Sequence, residues 1–269
     1  MRSLFVLLSF LCLATLLPAD DFRPPAGERS AIRRVGAESI LPGGRKVKNV
    51  IIMVGDGMGA THRTAARVML SGYTQGKARS PLAMDTFPNT ALVKTASLNS
   101  IVTDSSPGMA SYVNGNKQAN NQEGVFPDDT TDAFDNPRVE YLSEYLHRTQ
   151  GTQLGILTTA DVFDATPAAN AVHTSNRGAG TGIVDQYLDQ ADQSGLIVLM
   201  GGGRKWFLPA GTPGSARSAS SDYVLPADLA AGWGVPAGAK DPDRDLIAAF
   251  PAAGWAYAAN KTEMDGAGG

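Results

Sequence analysis

Three apolar runs constrain this chain most: VKNVIIMVGDGMG from Val47, TQLGILTTA over 152–160 and GLIVLMGGG over 195–203. Each is short, aliphatic or β-branched, and bounded by glycine or polar residues, which suits a strand. Their continuous apolarity suits strands covered on both faces, as in a parallel sheet. TALVKTAS (90–97) alternates weakly as a further strand, and ATHRTAARVML after the first run has helical spacing. Asn136 and Pro137 are expected to cap a helix RVEYLSEYLHRT, with Val139, Leu142 and Leu146 on one face and Gly151 just past its end. Strand, helix and strand recur, so the pattern predicts an α/β fold. Its mostly parallel central sheet is flanked by helices as an α/β/α sandwich, with the ligand crevice beyond the carboxyl ends of the strands.

Composition narrows the class. At 43% apolar and 18% charged residues, the 269-residue chain can bury a core and is not a disordered tail. Its 23 basic and 26 acidic side chains are nowhere concentrated into the basic face that a nucleic-acid binder needs. Arg2, the apolar stretch Leu4–Leu17 and the Leu17-Pro18-Ala19 junction read as a secretory signal, residues 1–19, cut after Ala19. That stretch is too short for a stable membrane span, which wants about twenty residues. The expected destination is the periplasm or the extracellular space. The single cysteine, Cys12, lies inside the signal, so the exported chain is expected to fold without a disulfide. Residues 20–46 read as an N-terminal arm along the surface, and 47–269 as the folded domain. Within it, 209–242 is dominated by Ala, Ser, Gly and Pro and reads as a surface excursion, while DLIAAFPAAGWAYAANKTEM returns to the core.

Three loop clusters carry the chemistry. In GDGMG (55–59), Asp56 sits between glycines at the end of a strand, where it serves either as a hard oxygen ligand for a divalent cation or as the cap of a turn. The segment lacks the third glycine of a dinucleotide fingerprint. In VTDSSPGMASYVNGNK (102–117), Ser105 stands at a helix start, where capping is the ordinary use of a serine. Helix-end amides would also favour its alkoxide and an incoming phosphate, provided that a metal lowers the hydroxyl pKa. In DVFDATPAANAVHTSNRG (161–178), Asp164 and Thr166 are two apart, which in an extended segment puts a carboxylate and a hydroxyl on one face, and Pro167 begins a short helix. Arg177 is either a solvated loop residue or a planar fork for two phosphate oxygens.

These clusters, in this order, resemble the alkaline phosphatase family. VIIMVGDGMG looks like its first metal strand, VTDSSPGMASYVNGNK like its nucleophile segment ending in a GxK signature, and TTADVFDATPAANAVHTSNR like its magnesium and phosphate-arginine segment. GLIVLMGGGRKWF is similar to the following strand and glycine turn, so the resemblance covers about residues 46–207. It implies a phosphate monoester hydrolase with two zinc ions and one magnesium ion. By the same resemblance, Asp56 bridges a zinc and the magnesium, Ser105 is the zinc-bound nucleophile, and Asp164 and Thr166 belong to the magnesium corner. Arg177 grips the phosphate and Asp104 orients its guanidinium. Family members are commonly homodimers.

The family draws further Asp, Glu and His ligands from a later half of the chain, and this sequence stops before them. The chain is therefore expected to be a fragment of the catalytic domain, inactive alone. His62, His147 and His173 fall where the family does not use histidine for zinc, and the acidic loop PDDTTDAFD (127–135) reads as a solvated insertion. Two competing readings are a phosphodiesterase or sulfatase of the same superfamily and a non-catalytic exported domain that binds phosphate.

Overall fold

A computed structural model describes residues 40–41 and 45–267 of the chain. The signal expected at 1–19 and most of the arm lie outside the described residues. The chain divides into two units, one ending at Val54 and one from Gly55 onward. In the first, β1 (Ile40–Leu41) pairs antiparallel with β2 (Arg45–Lys46). The expected strand over VKNVIIMV is not a strand. Its backbone makes no ladder, and Ile51 and Met53 are exposed. Apolar periodicity predicts a strand only where a neighbour supplies hydrogen bonds, and the described residues of this unit supply none to 47–54.

The second unit begins with the GDGMG turn and α1 (Ala60–Ser71), followed by the short antiparallel pair β3 (Tyr73–Thr74) and β4 (Lys77–Ala78). TALVKTAS is likewise unladdered, with Leu92 and Val93 exposed. Then come α2 (Ser105–Asn114), α3 (Leu142–Gln150), β5 (Leu154–Asp161), α4 (Ala165–Ala168), α5 (Gly180–Asp189), α6 (Ala191–Ser194) and β6 (Leu196–Gly202). The remaining α-helices among the described residues are α7 (Ala227–Trp233), α8 (Leu246–Ala252) and α9 (Lys261–Ala267). β5 and β6 pair in parallel, with Ile156 opposite Leu199, through the crossover that carries α4, α5 and α6. This is the α/β architecture expected, with helices packed on a parallel pair.

Ile156, Val172, Ile183, Val184, Tyr187, Leu196, Leu246 and Phe250 form the main core. Each fully buried aliphatic side chain among them contributes about 1.5–3 kcal/mol. The apolar strands are not covered on both faces, since Leu157 and Ile197 are exposed. Helix α3 starts at Leu142, four residues later than expected. Arg138 is held in a bridge with Val125, Val139 N–H donates to the Gly124 carbonyl at 2.8 Å, and Asn136 donates to the Phe126 carbonyl at 3.0 Å, so none is free to begin a helix. The Glu144 carboxylate receives the Tyr141 N–H at 2.8 Å instead, and Gly151 ends the helix in the left-handed region as predicted.

The segment 209–242 is not a surface excursion. Tyr223, Leu225, Ala230 and Val235 bury against Phe134 and Ala179 in a second core. Its apolar residues are spaced too thinly among Ala and Gly to show a period. The return of 245–264 occurs through Leu246 and Phe250.

Candidate active site

Asp104, not Ser105, caps α2. One oxygen of Asp104 accepts the Ser106 N–H at 2.8 Å and the other accepts the Asn121 N–H at 2.7 Å. Ser105 is therefore the first residue inside the helix, and its hydroxyl is left for other partners. Arg177 uses it: Nη1 donates to Ser105 Oγ at 2.9 Å while Nη2 donates to Asp164 Oδ1 at 2.5 Å. Asp104 Oδ1 lies 4.0 Å from Nη1, the outer limit of a direct charge contact, so its hydrogen bonds serve the backbone rather than the guanidinium.

Asp164 caps α4 by accepting the Ala165 N–H at 2.8 Å, and Thr166 lies within that helix. The pair is thus not on an extended segment, and the helix begins two residues before Pro167. The side chains diverge: Asp164 turns to Arg177, and Thr166 Oγ1 donates to Asp56 Oδ2 at 2.7 Å across 110 residues of sequence. Asp56 reaches this point because Gly57 takes φ +63°, a left-handed value that lets the chain reverse directly after it.

Magnesium and zinc place different demands on this donor set. Two oxygens 2.7 Å apart on Asp56 and Thr166 match adjacent ligands of one magnesium ion, which at about 2.1 Å and octahedral geometry lie roughly 2.9 Å from each other. Zinc is different. It wants three or four protein ligands, and among the described residues neither Asp56 nor Ser105 belongs to a cluster of three His, Cys, Asp or Glu side chains. Magnesium fits these residues and zinc does not. The cluster that does exist, Asp185, Asp222 and Asp241, has oxygens within 4.8 Å of one another, but arginines fill it. Arg217 donates to both Asp185 oxygens, at 3.0 and 2.9 Å, and Arg244 Nη1 lies 3.7 Å from the same carboxylate. It is an ion-pair centre, not a cation cage. In the acidic loop, Asp128, Asp132 and Asp135 are occupied by turn hydrogen bonds to Thr130 and Phe134.

A cleft of about 390 Å³ lies elsewhere, lined by Met200, Phe207, Phe250, Trp255 and Tyr257. Its mainly apolar wall, with none of Asp56, Asp104, Ser105, Asp164, Thr166 and Arg177 in it, does not suit a phosphate dianion.

The sequence patterns missed Glu123. It is fully buried, and among the described residues neither carboxylate oxygen has a partner within hydrogen-bond geometry, nor do the buried Ser106 Oγ and Gln118 Nε2. Burial pushes the Glu123 carboxyl well up, against the opposing pull of Arg177. A carboxyl raised in the folded state is neutral in both states at acid pH. Its stability contribution is therefore full below the ordinary carboxylate range and is lost as pH rises through the folded value. Glu123→Gln is expected to raise the urea midpoint at about pH 8 and leave it unchanged at about pH 3.5. Equal midpoints at both pH values would contradict the raised carboxyl.

These features define an α/β protein with a hydroxyl, a guanidinium and carboxylates gathered just beyond the carboxyl end of a parallel strand. The alkaline phosphatase family profile matches residues 47–268, and the chain belongs to that family. It is 32% identical over 233 residues to the tissue-nonspecific alkaline phosphatase isozyme of Gallus gallus, covering 78% of this chain and 44% of that protein. An alkaline phosphatase of Gadus morhua is 32% identical over 190 residues, 62% of this chain and 38% of that one. Among solved structures, the alkaline phosphatase of the Antarctic bacterium TAB5 aligns with a TM-score of 0.46 at 27% identity, covering 56% of this chain and 39% of that one. The chain thus spans less than half the length of these relatives.

Proposed function

We propose that the protein hydrolyses phosphate monoesters, with Ser105 as the nucleophile that becomes phosphorylated. The observation that carries this reading is the Arg177 fork, which reaches Ser105 Oγ with one nitrogen and Asp164 with the other. A phosphate placed on Ser105 would meet this guanidinium and the Ser105 N–H at the start of α2, since Asp104 takes the Ser106 and Gly108 N–H groups and Pro107 has none. Ser105 Oγ bonds to phosphorus as the ester oxygen leaves with the bonding pair, and water then cleaves the Oγ–P bond in a second displacement. Asp56 and Thr166 would hold the magnesium ion, with Asp164 joining them only by releasing Arg177, and the ion would supply charge neutralisation when bound. The two zinc ions of the family need ligands beyond Asp56 and Ser105.

For residues 47–269 by themselves, the two-ligand zinc side supports phosphate binding without turnover, and this is the second reading. Zinc-independent binding of inorganic phosphate without hydrolysis would support it. Nitrophenyl phosphate turnover exceeding that of the bis-ester by a zinc-supplied longer chain supports the monoesterase, and the reverse preference would overturn it. With the monoesterase reading go export through residues 1–19, an arm over 20–46, a catalytic segment over 47–269 and a homodimer in the whole protein. A secreted chain starting at residue 20 by mass spectrometry supports the first of these, and one starting at Met1 contradicts it. Among the described residues no helix is long and apolar enough to cross a membrane.

Arg177→Lys keeps the charge but loses the planar fork. It is expected to weaken inorganic phosphate binding by roughly 10- to 100-fold in calorimetry. Unchanged affinity would show that Arg177 does not touch the anion.

A further inference from the structure

His173 lies in the loop that leads to Arg177, and its ring is wholly buried. Nδ1 is 2.7 Å from the Gly124 carbonyl and Nε2 is 2.9 Å from Glu144 Oε1. A carbonyl oxygen only accepts, so Nδ1 carries a proton. Burial alone would raise the Glu144 carboxyl, but the His173 ring, the Tyr141 N–H and Arg138 outweigh it and hold the group below its ordinary range. Nε2 faces the Glu144 carboxyl, so both ring nitrogens have a partner and the ring is tied at two ends.

We propose that His173 is a positioning residue, which fixes the loop bearing Arg177 against the segment that holds the nucleophile helix. The inference rests on the phosphate-binding role given to Arg177 above. The connection is short. Glu123 and Thr174 exchange backbone hydrogen bonds at 2.8 and 3.0 Å, and Arg177 N–H donates to the Asn121 carbonyl at 3.0 Å. Asn121 N–H in turn donates to Asp104, the cap of α2. Residues 121–124 and 173–177 thus run as one ladder, with the His173 ring pinned to Gly124 at one end and Arg177 placed at the other. Gly124 is fixed by the same contact. It has φ +63°, and a Cβ there would come within 2.7 Å of His173 Nδ1.

Packing holds the ring in place from several elements. Glu144 of α3 pairs with it, while Tyr141 stacks on it at 4.8 Å between centroids and Trp233 of α7 at 5.4 Å. Gln186 of α5 holds the His173 backbone by two hydrogen bonds.

The test is nitrogen-15 NMR of the chain labelled at histidine and arginine, with the His173 signals assigned by their loss in His173→Gln. His173→Gln, which removes the ring, and Glu144→Gln, which keeps the shape of its partner, are each expected to shift the Arg177 backbone amide. Both should also weaken inorganic phosphate binding, His173→Gln on the order of tenfold. An Arg177 amide that stays unmoved in folded His173→Gln would overturn the proposal. Should the unmodified chain bind no phosphate, the phosphate role of Arg177 fails, and the amide shift still decides the positioning role. Should Glu144→Gln misfold, His173→Gln answers the same question through the Arg177 amide.

Discussion

Ser105→Ala, made in a form of the protein long enough to turn over substrate, is expected to abolish covalent phosphate labelling. Phosphomonoester hydrolysis should fall on the order of 10⁴-fold or more, the scale on which removal of a nucleophile acts. The same substitution should leave stability within about 0.5 kcal/mol, because Ser105 does not cap α2. Asp104 does, by accepting the Ser106 N–H, and its second oxygen ties the helix to Asn121. Asp104→Ala is thus expected to cost about 1 kcal/mol or more of stability through the lost cap. The contrast between neighbours separates chemistry from scaffold. Labelling that persists in Ser105→Ala would place the covalent step on another residue. A large fall in the urea midpoint of Ser105→Ala would mean that the serine hydroxyl is structural after all.

Motifs were legible in this chain to the extent that their chemistry is local. The strand ending at Asp161 and the Gly151 helix stop could be read because apolar runs and glycine announce themselves within a few residues, whereas the Asp164–Thr166 pair, read as extended, is split by α4. The division of labour between Asp104 and Ser105 could not. Either side chain can cap a helix, and the choice was made by Asn121, which occupies the second Asp104 oxygen from 17 residues away. Helix α3 failed at its start for the same kind of reason, since Arg138 and Val139 were claimed by a bridge to Val125 and Gly124 that no propensity encodes. Glu123, Glu144 and His173 had no signature at all. A lone buried charge in sequence looks like a surface one, and only the partners across the fold reveal it. The residues 47–54 erred in the opposite direction, since strong β propensity does not create a partner strand.

Arg217 shows the largest such gap, and its replacement is expected to be the most damaging to the fold. It sits in the Ala, Ser and Gly-rich stretch that reads as solvent-exposed, yet its side chain is wholly buried. Nε donates to the Pro242 carbonyl at 3.0 Å, while the two terminal nitrogens reach both Asp185 oxygens and the Trp206 and Asp241 carbonyls. One side chain thereby joins α5 to the turn after β6 and to the loop before α8. Burial pushes the Asp185 carboxyl up to about 7, and the two-point fork of Arg217 opposes that shift by favouring the ionised form. Arg217→Met would strand that carboxylate. Removing one partner of a buried pair costs about 3–5 kcal/mol, because the remaining charge loses its compensation. In a domain of this size each kcal/mol moves Tm by about 2–4 °C, so a fall of roughly 6–20 °C is expected in a thermal melt. The deficit should deepen as pH rises, since the unpaired Asp185 folds best when protonated. Arg217→Met combined with Asp185→Leu removes both charges and is expected to recover most of the loss. A single variant within about 1 kcal/mol of the unmodified chain would show that Arg244 alone suffices to compensate Asp185.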